Sequence, residues 1–414
     1  MNTMRGIFYW FGLFLLCAGC AGKTEKQDMS VIRLEDKISN TESIKASDFV
    51  SEIRYVPLET SEECVVGNSP YIRYYKDLAI VGSDQRSCMV FDKNTGKYIR
   101  SVGFVDKGPQ GYSTSSSFWI NEQNGDIYFP AWGSNYVRYS INGEFLSSGN
   151  IPRGIGTVCC LDNDVMLGYS NQGFQTSQDV LVCFDRQDSV LHRFQSSSGT
   201  PPVSVTPSDI AAISILKGTA AVEKFGEVAR GGVLSITLKD SEKNMTTYMK
   251  QPVFWRLGDD VYFKESLNDT VYRVTGEEMY PARVFDLGKY HLAQEESMQK
   301  GKREGRTAID LVFENDRFIY FEFILDGIYR GMADKRGHSV KVAKVKDGIV
   351  NDIDGFMSLS IQGKTPEEFV TCIQPLDIHT WFEEHEGAEV PDAVARLKGL
   401  KEDDNPVLVI MKSK

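Results

Sequence analysis

The sequence predicts an all-β chain: a six-bladed β-propeller carrying short helical insertions. Three observations predict it. A unit consisting of a β-rich run, a turn built on Gly, Asn or Asp, and a further β-rich run returns at intervals of roughly 40 to 75 residues, the pattern of small sheets that must stack on one another to bury their faces. Length sets the number: about 385 residues follow the N-terminal segments, and at roughly 60 per unit they make six. Composition supplies the third. The 414 residues are 41% hydrophobic and 25% charged, the balance of a folded chain rather than a disordered or collagen-like one. A net charge of -11 argues against a nucleic-acid partner, because phosphate recognition needs clustered Lys and Arg.

The N-terminus reads as an address. Residues 1–20 are MNTMRGIFYWFGLFLLCAGC. Arg5 gives a short basic start. Ile7 to Cys17 is an apolar run of about eleven residues, too short to span a bilayer and right for a signal-peptide core. Ala18 and Gly19 then precede Cys20. This is the pattern of a lipoprotein signal, residues 1–19, cut before a cysteine whose thiol carries diacylglycerol. It departs from the usual form in one place: Cys17 stands where a Leu is expected, with Leu16 one position further out. Residues 20–30 are expected to be a flexible tether with lipidated Cys20 at its head, and residues 31–414 the propeller. Buried acyl chains would then hold the chain to the outer membrane. Lys23-Thr24-Glu25-Lys26 is a faint version of an acidic surface-export signal, so the periplasmic and the surface-exposed face both stay open.

The strands follow in order. Leu78 to Val81, Cys88 to Phe91 and Lys97 to Val102 read as strands, with Asp92-Lys93-Asn94-Thr95-Gly96 as a hairpin loop. The theme repeats over 118–149, where Asn124-Gly125 and Asn142-Gly143 are strong turn signals, and again over 158–194, 253–276 and 313–337. Ser208 to Phe225, His291 to Arg306 and Thr380 to Gly399 have helical composition and are read as insertions or blade-edge helices. Ser196 to Pro207 is read as a long polar loop. Pro406 can start a strand but not sit inside a ladder. Val407 to Met411 is therefore expected to be a last strand, sharing a blade with Val31 to Leu34 to close the ring.

Little of the sequence points to chemistry. Six cysteines remain in the body, Cys64, Cys88, Cys159, Cys160, Cys183 and Cys372, and they allow fifteen pairings. The preferred reading is buried thiols, with the vicinal Cys159 and Cys160 facing opposite sides of a strand. Five histidines occur, and His379 and His385 lack the spacing of a helical zinc motif. No nucleophile elbow or phosphate loop is present. Asn351-Asp352-Ile353-Asp354-Gly355 is the one candidate for a hard cation such as calcium, with Asn351, Asp352 and Asp354 as oxygen ligands; the same residues are turn formers, and a turn is the preferred reading. No other cofactor signature appears. Trp119, Trp132 and Trp255 are candidate stacking faces for a sugar or peptide at a propeller mouth, against the preferred reading of packing between blades.

Several landmarks carry a family resemblance. They are Tyr55-Val56-Pro57-Leu58-Glu59-Thr60, Val90-Phe91-Asp92-Lys93, Lys107-Gly108-Pro109-Gln110-Gly111-Tyr112, Leu267-Asn268-Asp269-Thr270-Val271-Tyr272, Asn351 to Gly355, and Lys401-Glu402-Asp403-Asp404-Asn405-Pro406-Val407-Leu408. In this order, across nearly the whole chain, they resemble the six-bladed β-propeller lipoproteins of Bacteroidota, a TolB-like and NHL-like group. Gln110-Gly111 departs from that group's Gly-Pro-Gly-Glu-Tyr type of loop. The resemblance implies fold and export and no particular reaction. The functional expectation is an exported, lipid-anchored module of the cell envelope that binds a small-molecule or glycan ligand or a partner protein. The alternative is a metal-assisted hydrolase or lyase working in the channel, against which the poverty of His weighs.

Overall fold

The computed structural model describes residues 29–414 apart from 68–69, 84, 171–178, 196–209, 231, 240–243, 249–252, 266, 294–295, 297–303 and 345–347. The signal peptide 1–19, Cys20 and most of the tether therefore lie outside the described residues, as do the loop 196–207 and much of the stretch 291–306.

Six sheets form the blades of a propeller, each with four antiparallel strands that are consecutive in the chain in all but the last blade. Blade one runs from Tyr71–Tyr75 to Tyr98–Val102, blade two from Trp119–Ile120 to Phe145–Asn150, and blade three from Ile155–Cys160 to Val190–Gln195. Blade four runs from Phe254–Leu257 to Met279–Asp286 and blade five from Leu311–Glu314 to Ser339–Lys344. Blade six takes Gly363–Lys364, Glu368–Ile373 and Val407–Ser413 from the end of the chain and Val50–Pro57 from its beginning.

Strand alternation explains why the sheets stack. In blade one Ala79 and Val81 point to blade six, whereas Ile80, one residue between them, points to blade two. The same division holds around the ring, so that each of the six neighbouring pairs of blades encloses its own apolar cluster. Each fully buried Val, Ile, Leu or Phe in them contributes about 1.5–3 kcal/mol. Close approach is bought by small residues at particular points. A Cβ on Gly331 would stand 2.0 Å from the Phe321 ring across the strand pair. Turns between the third and fourth strands share one device: Asp92, Asp185 and Asp334 each accept backbone N–H bonds from residues two to four positions on.

The ring closes as expected in kind but with a different N-terminal strand. Val407–Ser413 pairs antiparallel with Val50–Pro57. The stretch expected there, Val31 to Leu34, instead supplies most of Ser30–Arg33, which adds in parallel to the outer edge of blade four, Ser30 opposite Arg283. Between the two strands the chain belts blade five: Glu42 N–H donates to the Val342 carbonyl at 2.8 Å, and Lys341 pairs with Asp48 at 2.8 Å. Tyr55 to Pro57 accordingly belongs to the last blade. Asn405 locks the closure. It is 1% exposed, its side chain donates to the carbonyls of Glu59 (2.6 Å) and Cys64 and accepts from Val66 N–H at 2.7 Å, and its own N–H reaches Thr60.

Two departures from expectation concern the insertions. Ser208 to Phe225 is not one helix: Ile210–Leu216 is a strand, and only Thr219–Phe225 is helical. That strand joins Val233–Leu238 and Asn244–Tyr248 in a separate three-stranded sheet between blades three and four, where pairing overrides the helical preference of its Ala and Leu residues. The C-terminal helical stretch begins earlier than expected, as Pro375–Glu384, with Pro375 at a first-turn position that needs no N–H. It packs with Asp392–Ala395 against Phe356 and Val407.

All six body cysteines are free thiols. Cys159 and Cys160 face the opposite sides of blade three, toward blades four and two. Burial pushes Cys183 and Cys372 up to about 11 and Cys159 to about 12. At pH 8 the folded protein is therefore expected to resist iodoacetamide at these positions and to take up six labels in denaturant, counted by mass spectrometry. Asn405→Ala, which orphans two buried carbonyls and an N–H, is expected to lower stability by about 1–3 kcal/mol in urea unfolding.

Candidate functional site

The first strands of blades one, four, five and six line a cavity of 860 Å³. Its wall is made by Tyr71, Arg73, Tyr75, Trp255, Val312 and Lys364 among others. Along these strands Tyr71 to Tyr75 are half-buried, whereas Trp255 and Val312 are buried and also pack at the seam between blades four and five.

Each polar group in the wall is positioned by a specific neighbour. The Arg73 Nε donates to the Tyr71 hydroxyl at 2.9 Å, and its guanidinium lies 5.2 Å from the centre of the Tyr71 ring. Lys364, on blade six, reaches over to donate to the Arg256 carbonyl on blade four. Burial pushes the Lys364 ammonium below its usual range, Glu122, Glu314 and Asp316 oppose this, and Arg73 adds to it. Trp255 is 7% exposed, lies 6.0 Å from Tyr262 in a stacked arrangement and donates from Nε1 to Glu314 at 3.1 Å. Glu314 also takes Arg283 at 2.5 Å and Lys335 at 2.9 Å. At the end marked by the turns of the chain, Lys93 pairs with Glu368 at 2.6 Å.

The insertion between blades three and four covers part of the other end. Lys217, Gly218, Glu227 and Arg230 join the cavity wall. The insertion is pinned to blade five: Glu227 N–H donates to Glu322 Oε2 at 2.8 Å, while Arg230 Nε holds the Glu227 side chain at 2.7 Å. Glu322 is 2% exposed and also accepts from Arg330 Nε at 2.9 Å and from the Tyr320 hydroxyl. Burial raises the Glu322 carboxyl, Arg330 opposes that shift, and Glu227 reinforces it.

Of the three tryptophans singled out in the sequence, Trp255 lines the cavity. Trp119 packs with Tyr128 and Tyr136 at the seam between blades two and three, with its buried Nε1 lacking a partner among the described residues. Trp132 is 51% exposed on a loop, donating to the Asp106 carbonyl at 3.2 Å with Lys107 over its ring. Asn351, Asp352 and Asp354 sit in a loop held to the N-terminal arm, away from the cavity wall. Asp352 accepts from Ser47 N–H at 2.9 Å and Ser47 Oγ at 2.5 Å. Asp354 accepts from Tyr55 at 2.9 Å and Asn351 at 2.6 Å. The two carboxylates thus turn to different partners. Among the described residues no group of three or more His, Cys, Asp or Glu side chains is placed to hold a metal ion. Arg73 and Lys364 were not visible as site residues in the sequence. The only signal was a charge inside an aromatic strand, Tyr71-Ile72-Arg73-Tyr74-Tyr75, and it became readable only once that strand was known to be innermost.

The comparisons with known proteins support the architecture. A family model described as "Domain of unknown function (DUF4934)" matches residues 29–412. No curated protein matches the chain. Among solved structures, a Bacteroides fragilis protein named "Putative exported protein" is similar with a TM-score of 0.64 at 16% identity, over 94% of this chain and 100% of that one; at that identity the likeness shows the fold alone. The β-propeller domain of Cps50 (Swd1) from Myceliophteria thermophila (TM-score 0.38, 8% identity, 87% of this chain and 99% of that one) and BamB from Moraxella catarrhalis (0.33, 12%, 88% and 89%) are more distant. Among the described residues no helix is long and apolar enough to cross a membrane.

Removing Glu322 would leave the buried Arg330 without its countercharge. Glu322→Ala is expected to lower stability by about 3–5 kcal/mol in chemical denaturation, and Glu322→Gln, which keeps an acceptor for Glu227 N–H, by less.

Proposed function

We propose that this chain, which belongs to the DUF4934 family, is an exported, lipid-anchored binding module of the cell envelope that takes a small molecule into its propeller channel. The single observation that carries the ligand reading is the 860 Å³ cavity on the axis, walled by Tyr71, Tyr74, Tyr75 and Trp255 with both cationic and carboxylate groups among them. Sites for small molecules are concave, of about 300–1,000 Å³, and combine apolar or aromatic faces with a small number of placed polar groups. The wall has that composition. The Asn351 to Asp354 loop does not line it, so the residues offered for a cation do not converge with the cavity.

Export and anchoring rest on residues 1–20: a basic start, a short apolar core, and Ala18-Gly19 before Cys20. The resemblance of the sequence landmarks to TolB-like and NHL-like propeller lipoproteins agrees with both. The first described strand, Ser30–Arg33, lies on the outer edge of blade four. A tether leading to it from Cys20 would attach at the rim and leave the channel open. Radiolabelled palmitate is expected to enter the wild-type protein in cells and not Cys20→Ser; equal labelling would remove the anchor from this reading.

Ligand binding is tested on residues 29–414 by a thermal-shift screen of saccharides and organic acids. Channel ligands are expected to raise the melting temperature by a few degrees and to shield Tyr71, Tyr74 and Tyr75 from hydroxyl-radical footprinting. Shifts without shielding there would move the ligand site elsewhere. A flat screen together with stable capture of one envelope protein on the outer rim would replace the ligand reading with a protein-docking one.

A further inference from the structure

We propose that the middle of the channel is a carboxylate site, in which Arg73 and Lys364 hold the anionic group of a small organic acid. This deepens, and rests on, the reading of the channel as the ligand site.

The two cations differ from the others of the interior. Arg138 has Asp126, Arg283 has Glu314, Arg330 has Glu322 and Lys93 has Glu368. The deeply buried Arg256 is covered by three backbone carbonyls, of Asp259, Cys160 and Leu161. Arg73 and Lys364 line the same cavity and have no ion-pair partner among the described residues. Two like charges held in a space partly withdrawn from water repel, and each keeps unspent donors. An anion placed between them relieves both costs.

The donor geometry selects the anion. The Arg73 Nε is committed to the Tyr71 hydroxyl and the ring of Tyr71 lies beside the guanidinium. What remains for a ligand is the edge carrying the two terminal nitrogens, and that edge matches the two oxygens of one carboxylate with parallel N–H···O bonds. Lys364 spends one proton on the Arg256 carbonyl and keeps two. Glu122 acts on both cations, and Glu314 and Asp316 act on Lys364; a second negative charge on the ligand would face these carboxylates. A monoanion is therefore favoured over a dianion such as phosphate. The remainder of the acid lies against the aromatic wall of Tyr71, Tyr75 and Trp255, where flat or ring-shaped bodies pack well.

The simplest probe is acetate, the bare carboxylate. Residues 29–414 are titrated with sodium acetate while chloride is lowered to keep ionic strength constant, and the melting temperature is followed. The expected result is a saturable rise that chloride alone does not produce. Arg73→Gln and Lys364→Met should each weaken acetate binding about tenfold, the loss of one charge-assisted bond, whatever each change does to the ligand-free melting temperature through its lost contact with Tyr71 or the Arg256 carbonyl. A purely structural role for Arg73 or Lys364 would lower the ligand-free melting temperature and leave acetate affinity unchanged, and the unchanged affinity is what separates it from the proposal. Acetate acting like chloride, or binding both variants as it binds wild type, overturns the proposal. Saturable binding of inorganic phosphate tighter than acetate overturns the monoanion assignment. A neutral saccharide that shields Tyr71 and Tyr75 in footprinting while acetate does not bind would leave the channel reading standing and the carboxylate site refuted.

Discussion

Everything in this molecule depends on the stacking of two-faced sheets. A blade whose residues alternate toward both neighbours, as Ala79, Ile80 and Val81 do, has no solvent face to spare. Six such sheets are stable only as a closed ring, since opening any one seam exposes an apolar face on each side of it. The closure by Val50–Pro57 against Val407–Ser413 is therefore a condition on the other five interfaces. The N-terminal arm reinforces it by running along blades four, five and six in turn, and Asn315 ties blade five to the last strand through Ser413 at 2.7 Å.

The ring also explains the division between spent and unspent polar groups. Between blades, buried carboxylates gather several donors: Glu314 accepts three, and Asp269 accepts from His291 at 2.8 Å and Ile309 N–H at 3.1 Å. On the axis, Arg73 and Lys364 line the cavity with no ion-pair partner among the described residues, although Glu122 stands in the same wall. The insertion pinned through Glu227 and Glu322 borders that space at one end.

The residues that carried the family resemblance turn out to be architectural. Tyr112, in the Gly-rich loop, is fully buried, stacks 4.3 Å from Phe129 and accepts from Cys88 N–H at 2.7 Å between blades one and two. Asp269 fixes the start of blade five to blade four. Asn351 and Asp354 hold Tyr55 of the closing strand, and Asn405 seals the join of the two chain ends. Such pins are legible because each needs one residue type at one turn. They speak of the fold and say nothing of the ligand. Of the tryptophans, which can stack on blades and ligands equally, sequence could not choose Trp255 over Trp119 and Trp132.

Local patterning determined by itself the strand-rich class, the turns at Asp92 to Gly96 and at Gly125 and Gly143 and the strand after Pro406, because alternation and turn chemistry act over a few neighbouring residues, and chain length set the number of blades. Tertiary structure decided which N-terminal strand closes the ring. Ser30–Arg33 and Val50–Pro57 are both apolar enough to pair, and only the distance around blades four to six assigns each to its edge. It also made Ile210–Leu216 a strand and brought Arg73 and Lys364, 291 positions apart, to one cavity. A side chain's facing onto the axis is a property of the closed ring, and no short stretch of chain encodes it.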